Sequence, residues 1–223
     1  MIFTWTLDHV SSICRSASFA LYNIGKLRMY LDKASAEILV HAFVTSRLDS
    51  CNSLLHGLPQ KEIDRLQRVQ NSAARLVTGV RGRVHMQPVL RQLHWLPIAK
   101  RIMFKILLLT FKAINGLAPG YIAEMLSIYS PSRRLRSSTS DGTLLKPPSV
   151  RAIKTATYGD RAFSAAAPKL WNGLPSNIRA IKSLQRFKTT LKTHLFNLPI
   201  NWLYFYHGEH FLPQRTLFIL CIY

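Results

Sequence analysis

Leu66-Gln67-Arg68-Val69-Gln70-Asn71-Ser72-Ala73-Ala74-Arg75-Leu76-Val77-Thr78-Gly79 is the stretch whose reading decides the fold. At about 100° per residue, Leu66, Val69, Ala73, Leu76 and Val77 fall on one side of a helix, joined by Ile63 upstream. Lys61, Arg65, Arg68 and Arg75 fall together on the other side, interleaved with Ser72. Gly79 follows as a C-terminal stop, because glycine reaches positive φ without steric cost. Downstream, Leu93-His94-Trp95-Leu96-Pro97 makes a turn into Ile98–Ile114, which is apolar almost all round except for Arg101, Lys105 and Lys112. A helix apolar on nearly every side is normally buried, so that one basic stripe must find water or an anion.

Working outward, the same period recurs. Val10, Ile13, Ala17, Leu21, Ile24 and Leu31 predict a first helix from His9, and residues 1–8 read as a strand-like remnant. Asp32 is suited to cap a second helix through Ala36, Leu39, Val40, Phe43, Val44 and Leu48, which Gly57-Leu58-Pro59 ends. After Gly79 come a loop with Arg81 and Arg83, a short helix near Pro88, and, past Gly116, another opened by Pro119. Residues 128–157 hold Arg133, Arg134 and Arg136 among serines and read as a mobile basic linker. Ala162–Leu174 reads as a helix broken at Pro168. Ser183 is placed to cap a last helix with Leu184, Phe187, Leu191 and Leu195 on one side and Lys188 and Lys192 beside it. The tail, 198–223, is aromatic and fits no regular pattern. The fold class is mostly α: a helical bundle, then a second helical unit across the Ser/Arg-rich loop.

Composition narrows the partners. The chain has 223 residues, 48% of them apolar, which is ample for a core. Thirty basic against ten acidic side chains give a net charge of +20. The usual partners of such a surface are nucleic acid and anionic membrane. The excess is uneven: +1 over residues 1–60, +11 over 61–150 and +8 over 151–223. The anion-facing surface is therefore expected to begin at the third helix, with the first two as scaffold. No apolar run approaches the roughly 20 residues that span a bilayer, and Glu209, Pro213 and Arg215 argue against a membrane anchor in the tail. Three widely spaced cysteines make no disulfide framework, consistent with an intracellular, cytoplasmic or nuclear setting.

Several blocks also carry a resemblance. Leu48-Asp49-Ser50-Cys51-Asn52-Ser53-Leu54-Leu55-His56-Gly57-Leu58-Pro59, the 66–79 stretch, Leu93–Pro97 and Phe104–Ala113 occur in an order similar to the region after the polymerase palm in jockey-like non-LTR (LINE-type) retrotransposon reverse transcriptases. Tyr158–Ser164, Ala167–Asn172 and Phe187–Phe196 resemble the same family, for coverage of about residues 9–197. The resemblance implies a thumb at about 9–79 and further template RNA or target DNA contacts from the part beyond, 80–197, within which the residue pattern sets a helical continuation at 80–127, the linker at 128–157 and a C-terminal helical unit at 158–197. It implies that the template–primer duplex is gripped through its backbone, and that the missing fingers and palm are a further partner.

Catalytic chemistry is not expected of this chain alone. Polymerisation needs clustered carboxylates holding two metal ions about 3.5–4 Å apart, whereas the aspartates here are scattered. By the resemblance, an aromatic-x-Asp-Asp turn before residue 1 would supply them, and Mg would belong to that palm, so no cofactor is expected. No phosphate-loop, dinucleotide or nucleophile-elbow motif is present. His207 and His210 lack companions for a metal site. Cys51 beside His56 reads as a buried helical cysteine rather than a nucleophile. Trp95 and Trp171 could stack on bases, but their apolar neighbours predict core packing. The expected binding residues are Lys61, Arg65, Arg68, Arg75, Arg81, Arg83, Arg101, Lys105, Lys112, Arg133, Arg134 and Arg136, with Asn71 and Ser72 adding neutral hydrogen bonds. No small-molecule substrate is expected. The alternative is a decayed reading frame or a helical interaction module reused by its host.

Overall fold

The computed structural model describes residues 2–82, 84–130, 143–149 and 159–199, with residues 2–6 as backbone only. The protein is mostly α-helical, as the periodicity predicts. Helix α1 (Ile2–Leu27) buries Val10, Ile13, Ala17, Leu21 and Ile24. The expected strand-like start is overturned, because the helix already runs from Ile2. A lone strand would leave its backbone groups unpaired, whereas a helix pairs them internally.

Asp32 caps α2 (Lys33–Val40) by accepting the Ser35 amide at 3.0 Å. Hydrogen bonds from Ser35 hold its carboxyl below the usual range. The helix continues through one π-turn (His41–Thr45) into α3 (Ser46–Asp49). It stops at Cys51, whose φ of 53° is left-handed. Cys51 is therefore exposed at a turn and not buried in a helix, a correction to the sequence reading.

Helix α4 (Gln60–Thr78) buries Ile63, Leu66, Val69, Ala73 and Val77 against α1 and α2. Gly79, at φ 73°, returns its amide to the Arg75 carbonyl at 2.8 Å. Arg28 completes that helix end: its Nε donates to Leu76 O at 2.8 Å and Nη2 to Val77 O at 3.3 Å. A cation there complements the negative end of the helix dipole.

The 66–71 stretch also clamps the next turn. Buried Gln70 donates from Nε2 to Leu96 O at 2.8 Å. Gln67 Oε1 accepts the Ile98 amide at 2.9 Å, and its Nε2 donates to Gln70 Oε1 and Asn71 Oδ1. That turn joins α5 (Met86–Gln92) to α6 (Ile98–Ile114). Trp95 is buried beside His41, with ring centroids 5.2 Å apart.

After α7 (Gly120–Ala123), Ser127–Ile128 (β1) pairs antiparallel with Leu145–Lys146 (β2). Trp171 Nε1 donates to Thr143 O at 2.8 Å, and Asn172 holds both the amide and the carbonyl of Leu145. Part of the expected linker is thus strand. Residues 131–142 and 150–157 of it lie outside the described residues, as do residue 158 and the tail from 200.

Helix α8 (Phe163–Asn172) contains Pro168 without breaking, contrary to the expectation. Ala165, Ala166, Ala167, Leu170 and Trp171 are all buried, and that packing outweighs one lost backbone hydrogen bond. Helices α9 (Ser176–Arg179) and α10 (Leu184–Asn197) follow. Ser183 stands at the N-cap of α10, but its side chain makes no capping bond.

Helices α8 and α10 both pack on α6, so the two expected units share one hydrophobic core. A second tie is Arg161, whose Nε donates to His56 O at 2.9 Å across the face of Gly57. A Cβ on Gly57 would stand 2.5 Å from Arg161 Cγ, at a backbone φ of 72°. Gly57→Ala is expected to cost about 2 kcal/mol in chemical denaturation, combining left-handed strain with displacement of Arg161. In an Arg161→Ala background the cost should shrink to strain alone, about 1 kcal/mol. Equal costs in both backgrounds would show that Arg161 does not oppose a side chain there.

Candidate nucleic-acid interface

The basic side of α4 faces α1 across an open groove of about 540 Å³. Arg65, Arg68 and Ser72 come from α4, and Cys14, Ser18 and Tyr22 from α1. Both helices bury their apolar stripes inward, so the polar stripes that remain line the groove between them. Leu76, expected in the core, is half-buried at the groove instead. The first helix therefore contributes to the candidate surface and is more than scaffold. Exposed Arg15 follows Cys14 on the same stretch of α1. The sequence signal for this was the serine spacing, Ser11 and Ser18, on the same helical face two turns apart.

The arginines are not equivalent. Arg65 Nη1 lies 2.7 Å from Glu62 Oε2, and its Nη2 donates to Ser11 Oγ at 3.1 Å. Its charge is largely matched within the protein. Arg68 is exposed on the same groove without a carboxylate partner among the described residues. Arg75 is half-buried, with Nε enclosed and without a hydrogen-bond partner, and it does not line the groove. Ser72 Oγ donates to Arg68 O at 3.0 Å, so it meets a ligand as an acceptor. Asn71 is bonded to Gln67 and lines a different cleft, beside α5. The expected help from Asn71 on this face is thereby corrected.

Cys14 lies in the groove floor. Burial pushes its thiol pKa up, against the lowering influence of Arg65. That shift favours the thiol over the reactive thiolate.

Elsewhere the structure sorts the expected cations. Lys61 and Arg81 are exposed near the two ends of α4, and Lys105 is exposed on α6. Lys112 is half-buried there. Arg101 is consumed internally: Nη1 meets both Asp49 oxygens at 2.9 Å, and Nε donates to Leu96 O at 3.0 Å. It joins α3 to α6, and its expected binding role is corrected. Arg83, Arg133, Arg134 and Arg136 lie outside the described residues. So do His207 and His210.

Sequence reasoning passed over Lys100, which is 5% exposed. Its Nζ donates to Leu198 O at 2.6 Å, and Arg91 Nη2 donates to Phe196 O at 3.2 Å. The two cations cap the carbonyl end of α10. Burial, then Arg91, push the Lys100 pKa down.

Among the described residues, no three His, Cys, Asp or Glu side chains gather where they could hold a metal ion. Among the same residues, no helix is long and apolar enough to cross a membrane. No protein-family profile, curated protein or solved structure matches the chain.

Proposed function

We propose that this chain is the part of a LINE-type reverse transcriptase that follows the catalytic palm, and that it holds nucleic-acid backbone without performing chemistry of its own. The catalytic carboxylates and their Mg belong to the palm of such an enzyme. The observation that carries the reading is the α1–α4 groove, in which exposed Arg68 and paired Arg65 stand over serine and tyrosine hydroxyls. A phosphate chain takes guanidinium and hydroxyl contacts without reading base sequence. The charge excess that starts at residue 61 supports the same partner.

The test is binding of an RNA–DNA template–primer duplex, read by fluorescence anisotropy. Arg68→Ala is expected to weaken binding about fivefold, equally for duplexes of unrelated sequence. Arg65→Ala should weaken it less, because Glu62 already offsets that charge. Loss confined to one duplex sequence, or no loss with Arg68→Ala, would overturn the groove as the site.

A second reading, a helical interaction module, draws on the exposed apolar side chains Phe19, Leu27, Met29 and Tyr30 along and just after α1. In the first reading the same patch is where the palm would dock. Binding of no nucleic acid by the folded protein would favour the module.

A further inference from the structure

Helices α6 and α10 form a second groove that no residue of the α1–α4 surface enters. It has a volume of about 400 Å³. Its rims are Phe104 of α6, Phe196, Lys188 and Lys192 of α10, and His94 from the turn before α6. The lysines are spaced one helical turn apart, about 6 Å along the axis. Neither has an ion-pair or hydrogen-bond partner among the described residues. No carboxylate is available from these elements: the sequence has no Asp or Glu between Asp64 and Glu124, nor from Arg161 to Pro199. The groove is therefore cationic, with no counter-charge from the elements that line it.

The uncharged parts narrow that ligand. Phe104 and Phe196 are half-buried, each leaving part of a ring at the groove. Thr189 and Thr193 donate their hydroxyl protons back to the carbonyls of Gln185 and Thr189, at 3.2 and 3.1 Å. Their oxygens then face the groove as acceptors.

His94 is the most telling residue. The turn ending α5 is a Schellman motif: Trp95 N–H donates to Leu90 O at 2.8 Å and His94 N–H to Arg91 O at 3.0 Å. His94 occupies its left-handed position at φ 55°. The same motif ends α6, with Leu117 N–H on Lys112 O and Gly116 N–H on Ala113 O. There the left-handed position is a glycine, Gly116. An imidazole is thus kept exposed, at a cost in strain, where glycine would sit freely.

We propose that the α6–α10 groove binds single-stranded nucleic acid, with Lys188 and Lys192 on its phosphates and Phe104, Phe196 and His94 stacking on unpaired bases. Cations beside ring faces are the combination that single strands use. A duplex hides its base faces and would leave the rings idle. An acidic peptide would satisfy the lysines and likewise leave the rings idle. The inference rests on the nucleic-acid reading above and assigns the unpaired strand to a different face from the duplex.

The test compares a labelled oligouridylate of about ten nucleotides, within the span of such sites, with the RNA–DNA duplex, on the full chain. Lys188→Ala with Lys192→Ala is expected to lower single-strand affinity about tenfold and to flatten its salt slope by about 1.4, two phosphates at 0.7 each. Phe196→Leu should lower it about fivefold and leave the slope alone. His94→Gly should lower single-strand affinity while the protein melts at the same temperature or higher. None of the three should change duplex affinity more than about twofold, and Arg68→Ala should do the converse. Photocrosslinking with 5-iodouridine should label the peptides containing His94, Phe104 or Phe196. Unchanged single-strand affinity in the lysine pair, equal competition by polyglutamate, or crosslinks confined to other peptides would overturn the proposal while the duplex reading stood. Failure to bind either probe would overturn both.

Discussion

Replacing Phe187 by alanine is expected to lower the unfolding free energy by about 3–5 kcal/mol, the range for deleting a buried aromatic side chain. Phe187 is fully buried where α6, α8 and α10 meet. Its ring stacks on Phe111, with centroids 4.2 Å apart and planes at 20°, and lies 5.8 Å from Trp171. Removing it forfeits the transfer energy, opens a cavity, and loses the stack, itself worth about 0.5–1.5 kcal/mol. A urea titration decides it. Because α6 belongs to the core of both halves, one cooperative transition should move to lower denaturant as a whole. A new early transition, with the main one unmoved, would show that α8–α10 unfold as a separate unit. A loss of only about 1 kcal/mol would show that neighbouring side chains refill the space.

Duplex binding should collapse with salt. Each phosphate neutralised releases condensed counterions, for a slope near −0.9 per contact on B-DNA. Taking about five contacts, fourfold more salt should lower the association constant by about five hundredfold. Arg68 lines the α1–α4 groove, and Arg15, Lys61, Arg81 and Lys105 are among the further exposed cations of the chain. Arg65 and Arg101 count for less than their formal charge, since Glu62 and Asp49 already face them. The measurement is the slope of log K against log salt, which should fall between about −4 and −5. A slope near zero would mean that the +20 excess does not act at the bound ligand, and the electrostatic reading would fail.

Two features of the fold show where sequence reasoning reaches. The apolar stripes of α1, α4 and α10 were legible because a helix repeats its faces every 3.6 residues. Val10, Ile13, Ala17, Leu21 and Ile24 are buried as that period requires. Phe43, which shares the period of α2–α3, is exposed instead, 51% to solvent. The π-turn over His41–Thr45 inserts an extra residue and shifts the face it presents. Pro168 misled for a related reason: a propensity of one residue yields to the burial of its neighbours.

The candidate site divides along the same line. That the chain is cationic, and that α4 carries arginines along one side, is written in the sequence, because charge and helical period are local properties. Which arginines are free is not. Arg101 meets a carboxylate 52 residues away, Arg28 a carbonyl 48 residues away, and Lys100 one 98 residues away. Such partners are chosen only when the helices pack. The sequence alone determined a mostly helical, strongly basic protein with helix stops at Gly79 and Gly116. The tertiary structure decided that α6 is shared by both halves, that α1 and α4 open a groove, and that α6 and α10 open another. The physical reason is that the helical repeat of apolar and basic residues is written over neighbouring turns, whereas desolvation and ion pairing depend on which surfaces are brought into contact.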